Sequence, residues 1–240
     1  METIDSILDR RIEICQPSEG YRFNADSVIL SRFVDGKRHF NNILDIGTGS
    51  GVISVLLNYL YGYDNIDAVE ISSKMYECLL KTLDINNLDN AVKAFNMDLK
   101  GFKPSKPYDM IISNPPYRKS HTGRQCITEE ENKARFSDNL TLDDILKFCR
   151  SYLKNKGLFY FCYEADMAVE AFYYCRKYGV EPKRMRFLHP DIDKPARQIF
   201  LECRKEGGIE LKVEKPLFQK INGVETWEYK NIFTNEEDSL

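Results

Sequence analysis

The sequence predicts an α/β fold: a doubly wound, mostly parallel seven-stranded sheet with an antiparallel hairpin at one edge. Three observations carry this. From residue 42 to residue 178, short apolar runs alternate with segments of helical period, the order expected when helices cross between parallel strands. The first run is joined to its helix by a glycine-rich turn, Gly47-Thr48-Gly49-Ser50-Gly51. The last two runs, residues 184–189 and 198–203, are separated by eight residues. That is too short for a parallel crossover, so the pair must be antiparallel.

Bulk properties bound the rest. With 240 residues and a 42% hydrophobic fraction, one domain is expected: an N-terminal segment 1–40, a core 41–204 and a C-terminal extension 205–240. No apolar run nears the roughly 20 residues needed to span a bilayer, and Met1-Glu2-Thr3-Ile4-Asp5 lacks the parts of a signal peptide. A cytoplasmic protein with no membrane partner is expected. The seven cysteines include no Cys-x-x-Cys pair and have no histidines at ligand spacing, so reduced thiols and no metal are expected. A net charge of −3 excludes a polybasic, nonspecific nucleic-acid coat, and any nucleic acid must be gripped locally.

In chain order, residues 4–11 have weak amphipathic character, and Ile12–Pro17 alternates like a strand that proline stops. A polar and aromatic loop follows, then a helical pattern in Val28, Ile29, Leu30, Phe33 and Val34, with Asp26 or Ser27 placed to cap it. Tyr21, Phe23 and Asp26 serve either packing and capping or a ligand-facing loop. The next strand ends at Asp45, and the glycine turn leads into a helix beginning at Val52. Glycines at a helix amino terminus let a ligand approach the backbone, so Asp45, Gly47, Gly49 and Gly51 form a candidate nucleotide cradle. The spacing Asp-x-Gly-x-Gly-x-Gly departs from the dinucleotide pattern, whose last glycine would fall at Val52.

Ile66–Glu70 reads as the second strand of the sheet. Glu70 falls where such sites place an acid for ribose hydroxyls; its alternative is a cap for the next helix, a job Ser72 or Ser73 could do equally well. After a helix around residues 75–83, residues 92–98 read as a strand that sets Asp98 beside Glu70. The fourth strand, Tyr108–Ser113, runs into Asn114-Pro115-Pro116-Tyr117. An amide, backbone carbonyls stiffened by proline and an aromatic ring together suit a planar group bearing an NH2.

Residues 118–138 form a long polar stretch in which Lys119, His121 and Arg124 could meet phosphates; a solvated loop is the equal alternative. His121 is the least favoured choice for a base. A helix then runs from Thr141 to Leu153, a strand from 158 to 163 and a helix from 168 to 178, before the terminal hairpin. Cys162 in this fifth strand reads as a small core residue.

This order of elements resembles the class I S-adenosylmethionine-dependent methyltransferases, with their Rossmann-like sheet. The Asp45–Gly51 motif is similar to the family's cofactor loop, Glu70 to its ribose acid, Asp98 to the residue beside the adenine amine, and Met97 to a side chain against the ring. Asn114-Pro115-Pro116-Tyr117 resembles the catalytic motif of the amino-group methyltransferases. Residues 16–30, 186–197 and 216–229 are further similar to the bacterial tRNA adenine-N6 methyltransferases that modify the purine beside the anticodon of valine tRNA.

That resemblance implies S-adenosyl-L-methionine as cofactor, with Tyr21 and Asp26 on its side of the site and Asn114 shared with the substrate. It implies Asn114, Pro115 and Tyr117 as catalytic residues and Pro116, Tyr117, Lys119, Arg124 and Arg197 as substrate contacts. It also implies tRNA as partner; a monomer is expected. The Asn114 oxygen and the Pro115 carbonyl would each accept one N6 hydrogen, while Tyr117 would stack on a flipped base, with no metal and no strong base required. Protein glutamine, rRNA or DNA adenine are the alternative substrates of such a motif. A nicotinamide-dependent oxidoreductase is disfavoured by the glycine spacing, and a noncatalytic RNA-binding module requires vestigial central residues.

Overall fold

The computed structural model describes residues 2–20, 22–115 and 140–234. Its centre is a nine-stranded sheet containing β3 (Ile43–Ile46), β4 (Ile66–Glu70), β5 (Val92–Asn96), β6 (Tyr108–Ser113), β7 (Leu153–Glu164), β8 (Val180–His189) and β9 (Gln198–Lys205). Two short strands, β10 (Lys212–Val213) and β11 (Leu217–Phe218), pair with β8 at the edge. The order along the sheet is β10-β8-β9-β7-β6-β3-β4-β5.

Successive side chains on a strand face opposite ways, so each inner strand supplies two cores. Met110, Ile112, Leu158 and Tyr160 pack with α1 (Ala25–Phe33), α2 (Val52–Tyr61) and α3 (Ser73–Ile85). Ile111, Phe159 and Phe161 pack on the opposite face with α4 (Leu142–Tyr152) and α5 (Ala168–Lys177). Phe159 and Phe161 are wholly buried, each worth about 1.5–3 kcal/mol relative to exposure. Helices on both faces make the sheet doubly wound, as the alternating sequence pattern requires.

The antiparallel pair expected at the edge is present between β8 and β9. β9 runs antiparallel to both β7 and β8 and sits between them. Six of the seven main strands are therefore parallel, with one reversed strand in second place. The fifth strand is also longer than its apolar run suggests, because α4 ends at Tyr152 and β7 begins at Leu153. A register shift against β6 between Tyr108 and Met110 absorbs the extra residues, with Lys156 at a positive φ of 62°.

Residues 4–11 differ more. β1 (Glu2–Ile7) forms an antiparallel hairpin with β2 (Ile12–Pro17). The chain reverses through Leu8, Asp9 and Arg10, which have φ of 48°, 55° and 65°. Leu8 can occupy that turn because its side chain is buried. β2 lies against α3, where the Cys15 N–H donates to Thr82 Oγ1 at 3.0 Å.

Beyond β11, a hairpin of β12 (Lys220–Ile221) and β13 (Val224–Glu225) leads to α6 (Trp227–Asn231). No helix among the described residues is long and apolar enough to cross a membrane.

The start of α4 is fixed by its own residues. The Thr141 side chain accepts from the Asp144 N–H at 3.2 Å and Asp144 accepts from the Thr141 N–H at 3.1 Å, a reciprocal capping box. Thr141→Ala should lower stability by about 1 kcal/mol, read as an earlier urea midpoint with an unchanged slope.

Candidate active site

The parallel strands end along one edge, and the reversed β9 begins there, so Asp45, Glu70, Asn114, Cys162 and Gln198 come together from five strands or their ends. Phe23, Ser27, the 47–50 turn, Met75 and Asn114 line one cleft on this edge.

Asp45 is fully buried. Its Oδ2 accepts from Thr48 Oγ1 at 2.6 Å and from Ser54 Oγ at 2.8 Å, which ties the end of β3 to the turn and to α2. Its Oδ1 is buried with no hydrogen-bond partner among the described residues, an exposed need rather than a finished contact. Burial pushes its carboxyl up to about 6, against the lowering effect of the two hydroxyls. The turn is held to β4 by Gly47 N–H and Thr48 N–H, both donating to Val69 O at 2.9 and 3.2 Å.

Gly51 has φ of 89°, and a Cβ there would lie 2.5 Å from Leu79 Cδ1. Gly47 has φ of 66°, with open space where its Cβ would project. One glycine is therefore demanded by the packing of α2 on α3, the other by the backbone conformation at the cleft.

Glu70 also serves the turn. Its Oε2 accepts from Gly49 N–H at 2.9 Å and its Oε1 from Ser72 N–H at 2.7 Å, and burial raises its carboxyl above the usual range. Ser72, not Glu70, caps α3 through Met75 N–H. The acid is thus spared from capping and stays at the sheet edge.

Asp98 is not the residue that ends β5 opposite Glu70. β5 stops at Asn96, which is the residue registered opposite Glu70 and which donates through Nδ2 to Glu70 O at 2.9 Å. Asp98 instead caps a short 3-10 turn, Leu99–Gly101, by accepting from Lys100 N–H at 2.8 Å. Met97 donates its N–H to Glu70 O at 3.0 Å, and its half-buried side chain packs against the α4–α5 layer.

Asn24, rather than Asp26 or Ser27, caps α1. Asp26 is buried and its carboxylate is engaged by Arg197 Nη2, Gln198 Nε2 and Asn24 Nδ2, each at 2.9 Å. Arg197 is therefore spent in part on Asp26, with about half of its side chain exposed. Asn114 donates through Nδ2 to Ser27 Oγ at 3.0 Å and accepts at Oδ1 from the Cys162 thiol at 3.1 Å. Pro115 is buried behind it. Tyr21, Pro116, Tyr117, Lys119, His121 and Arg124 lie outside the described residues.

Thr48, Ser54, Gln198 and the contact to Cys162 were not singled out by sequence reasoning. The first two carried a signal, hydroxyls three and nine residues after a strand-end acid. Gln198 and Cys162 carried none, because only strand register brings them to the edge. The six described cysteines are all buried thiols.

Two outcomes test this arrangement. Asp45 is raised in the folded state from 3.8 to about 6, so the folded chain binds more protons than the unfolded one between those values. Its contribution therefore favours folding below about pH 4 and is lost as pH rises to about 6, by up to roughly 3 kcal/mol. In Asp45→Asn this component should be absent when denaturation free energies of the two proteins are subtracted across that range. Gly51→Ala should cost about 1–3 kcal/mol from backbone strain alone, measured by urea denaturation, with a further loss if Leu79 cannot move.

Residues 22–135 match the family model of the methyltransferase small domain. The tRNA1(Val) (adenine(37)-N6)-methyltransferase of Pedobacter heparinus is 30% identical over 191 residues, covering 79% of this chain and 80% of that one. The protein of the same name from Aliivibrio salmonicida is 31% identical over 138 residues, 58% of each chain. The crystal structure of a predicted O-methyltransferase from Agrobacterium tumefaciens shares the fold with a TM-score of 0.66 at 16% identity, covering 86% of this chain and 94% of that one. On these matches the chain belongs to the tRNA1(Val) (adenine(37)-N6)-methyltransferase family.

Proposed function

We propose that the chain methylates N6 of an adenosine in tRNA, the one beside the anticodon of valine tRNA, using S-adenosyl-L-methionine. The observation that carries this reading is the similarity to the Pedobacter relative over four-fifths of both lengths. It is supported by Asn114 standing at the end of β6, next to the strand that feeds the glycine turn.

The residues at that turn fit the cofactor. Asp45 Oδ1 is a buried acceptor with no partner among the described residues, suited to a cationic ligand. Gly47 and Gly49 leave the backbone bare at the cleft, and Glu70 retains acceptor capacity for hydroxyls. Asp45, Gly47, Gly49, Gly51 and Glu70 would hold the cofactor, with Tyr21, Met97 and Asp98 around its base. Asp26 acts at one remove, by fixing α1. When bound, the cofactor supplies an electrophilic methyl on a sulfonium.

The protein's own part is to present the amine. The N6 lone pair of adenine is delocalised into the ring and nucleophilic only when held and polarised. With its NH2 donating to Ser27, Asn114 offers its oxygen as an acceptor, and the Pro115 carbonyl is the second acceptor. One N6 hydrogen on each would point the nitrogen at the methyl and favour positive charge building on it. The methylated aminium then loses a proton to these carbonyls or to water. Tyr117 would stack on the flipped base, worth about 1–3 kcal/mol against an extrusion cost of a few kcal/mol. Pro116 would stiffen that wall, and Lys119, Arg124 and the exposed part of Arg197 would meet phosphates. The N-terminal hairpin and the strands added to β8 extend this core within one domain, and a cytoplasmic monomer suits the role.

Unmodified total tRNA incubated with labelled cofactor should yield N6-methyladenosine on nucleoside mass spectrometry. Its absence, or label appearing on protein glutamine instead, would overturn the reading. Asn114→Ala should slow the methyl-transfer step by about 10²–10³, as loss of a hydrogen bond made in a transition state does elsewhere, while cofactor affinity persists.

A further inference from the structure

Between α1 and α6 lies a cavity of about 460 Å³, within the size range of small-molecule sites. Its floor is the α1 face of β8 and β9. Arg184 and Arg186 stand two apart on β8 and so project to one face, and Phe200 of β9 is registered opposite Arg186. One wall is α1, through Arg32 and Phe33, and the other is α6, through Trp227, Glu228 and Asn231. None of these residues lines the cleft at the glycine turn. Arg32 follows Ser27 on the same helix by five residues, about 8 Å along its axis.

Three guanidinium groups line this cavity, and their bonds to the protein do not use them up. Arg184 binds Glu202, Glu214 and Phe33 O. Arg186 donates through Nε to Lys215 O and through Nη2 to Glu228. Arg32 donates through Nε to Ile232 O at 3.2 Å and through Nη2 to Thr234 O at 2.6 Å. In both Arg32 and Arg186, Nη1 has no hydrogen-bond partner among the described residues. The acids of the lining, Glu214 and Glu228, are each matched by an arginine. Arg32 meets carbonyl oxygens alone, so its charge is answered by no carboxylate among the described residues.

The same bonds fix the spacing of the walls, since Arg186 holds the first turn of α6 and Arg32 holds its end. The lining therefore specifies a ligand. Guanidinium forks match the oxygens of a phosphate. Trp227, 63% exposed at the cavity, offers an indole face to a flat ring. Asn231 carries an amide that can both donate and accept toward the edge of a base. An anionic group and a planar heterocycle on one molecule describe a nucleotide.

We propose that the cavity between α1 and α6 is a nucleotide-binding site, separate from the cofactor cleft, in which Trp227 stacks on the base while Arg32 and Arg186 hold the phosphate. The nucleotide is either free or one unit of an RNA chain lying across α1, and the second source rests on the RNA substrate proposed above.

Trp227 is the single tryptophan of the chain, so its fluorescence reports on this cavity directly. With saturating S-adenosyl-L-methionine present to fill the cleft, adenosine monophosphate should quench that fluorescence along a saturable curve. Adenosine and inorganic phosphate, each carrying half of the chemistry, should bind more weakly by about tenfold or more. Arg32→Gln and Arg186→Gln should each weaken the monophosphate by about tenfold or more, the factor for a lost hydrogen bond to a charged group. Arg186→Gln also removes the bond to Glu228, so Glu228→Gln is its companion. That variant breaks the same pair but keeps the guanidinium, and it should bind the monophosphate at least as tightly as wild type.

A short single-stranded RNA separates the sources. If RNA supplies the nucleotide, the oligonucleotide quenches Trp227, and Arg32→Gln raises KM for tRNA by about tenfold with kcat and cofactor KM unmoved. If the nucleotide is free, the monophosphate binds, the oligonucleotide leaves the fluorescence unchanged and KM for tRNA does not move. Absence of saturable quenching by the monophosphate overturns the proposal, as does undiminished affinity in Arg32→Gln. Weaker binding in Glu228→Gln overturns it too, because the arginines would then only support the walls. The titration involves no methyl transfer, so a chain that makes no N6-methyladenosine but gives these responses loses its substrate assignment and keeps this site.

Discussion

The arrangement of the site depends on one buried carboxylate. Asp26 is only 4% exposed, and a charge so placed persists only where hydrogen-bond donors replace water. Two of its three donors, Arg197 and Gln198, lie 171 and 172 residues further along the chain. That pairing fastens the first turn of α1 to the start of β9. The other end of the helix is fastened to β8 and β9: Arg184 of β8 donates to Phe33 O, stacks on the Phe33 ring and binds Glu202 of β9 at 3.0 Å. With α1 clasped at both ends, Ser27 has a fixed position from which to meet Asn114.

The acids on the cofactor side divide their work. Asp45 is buried deepest, is held through Oδ2 by the hydroxyls of Thr48 and Ser54, and keeps Oδ1 unmatched among the described residues. Glu70 sits one strand over and binds backbone N–H groups on both oxygens. The first is destabilised as an anion and is relieved by a nearby cation. The second is a rigid acceptor whose orientation is set before any ligand arrives, which reduces the ordering cost of binding.

Much of this was legible in the chain because parallel strands covered on both faces are apolar along their whole length and end abruptly at polar residues. Ile66–Glu70 and Tyr108–Ser113 were read with their true limits, and the glycine turn announced itself by spacing. What was not legible depends on register or on competition between caps. Asp98 looked like a strand-end acid, but β5 stops two residues earlier and Asn96 takes the place opposite Glu70. Cys162 read as core, which it is by burial, and nothing in its neighbours along the chain reveals that Asn114 lies across from it. The slot of β9 between β7 and β8 is likewise silent in sequence, since either order satisfies an antiparallel pair. The hairpin at residues 2–17 was obscured because its turn puts Leu8 and Arg10, which rarely mark a turn, in left-handed backbone on either side of Asp9.

The place of that reversed strand bears on the order in which the molecule can be built. On a ribosome β8 emerges before β9, yet it has no bond to β7 and can join the sheet only through β9. The growing sheet thus halts at β7 with an open edge until residues 198–205 appear. α1, made some 170 residues earlier, carries Asp26 without Arg197 or Gln198 through the whole interval. Until the reversed strand arrives, α1 has only α2 and the strands through β7 to pack on, and its buried acid must wait for two of its three donors.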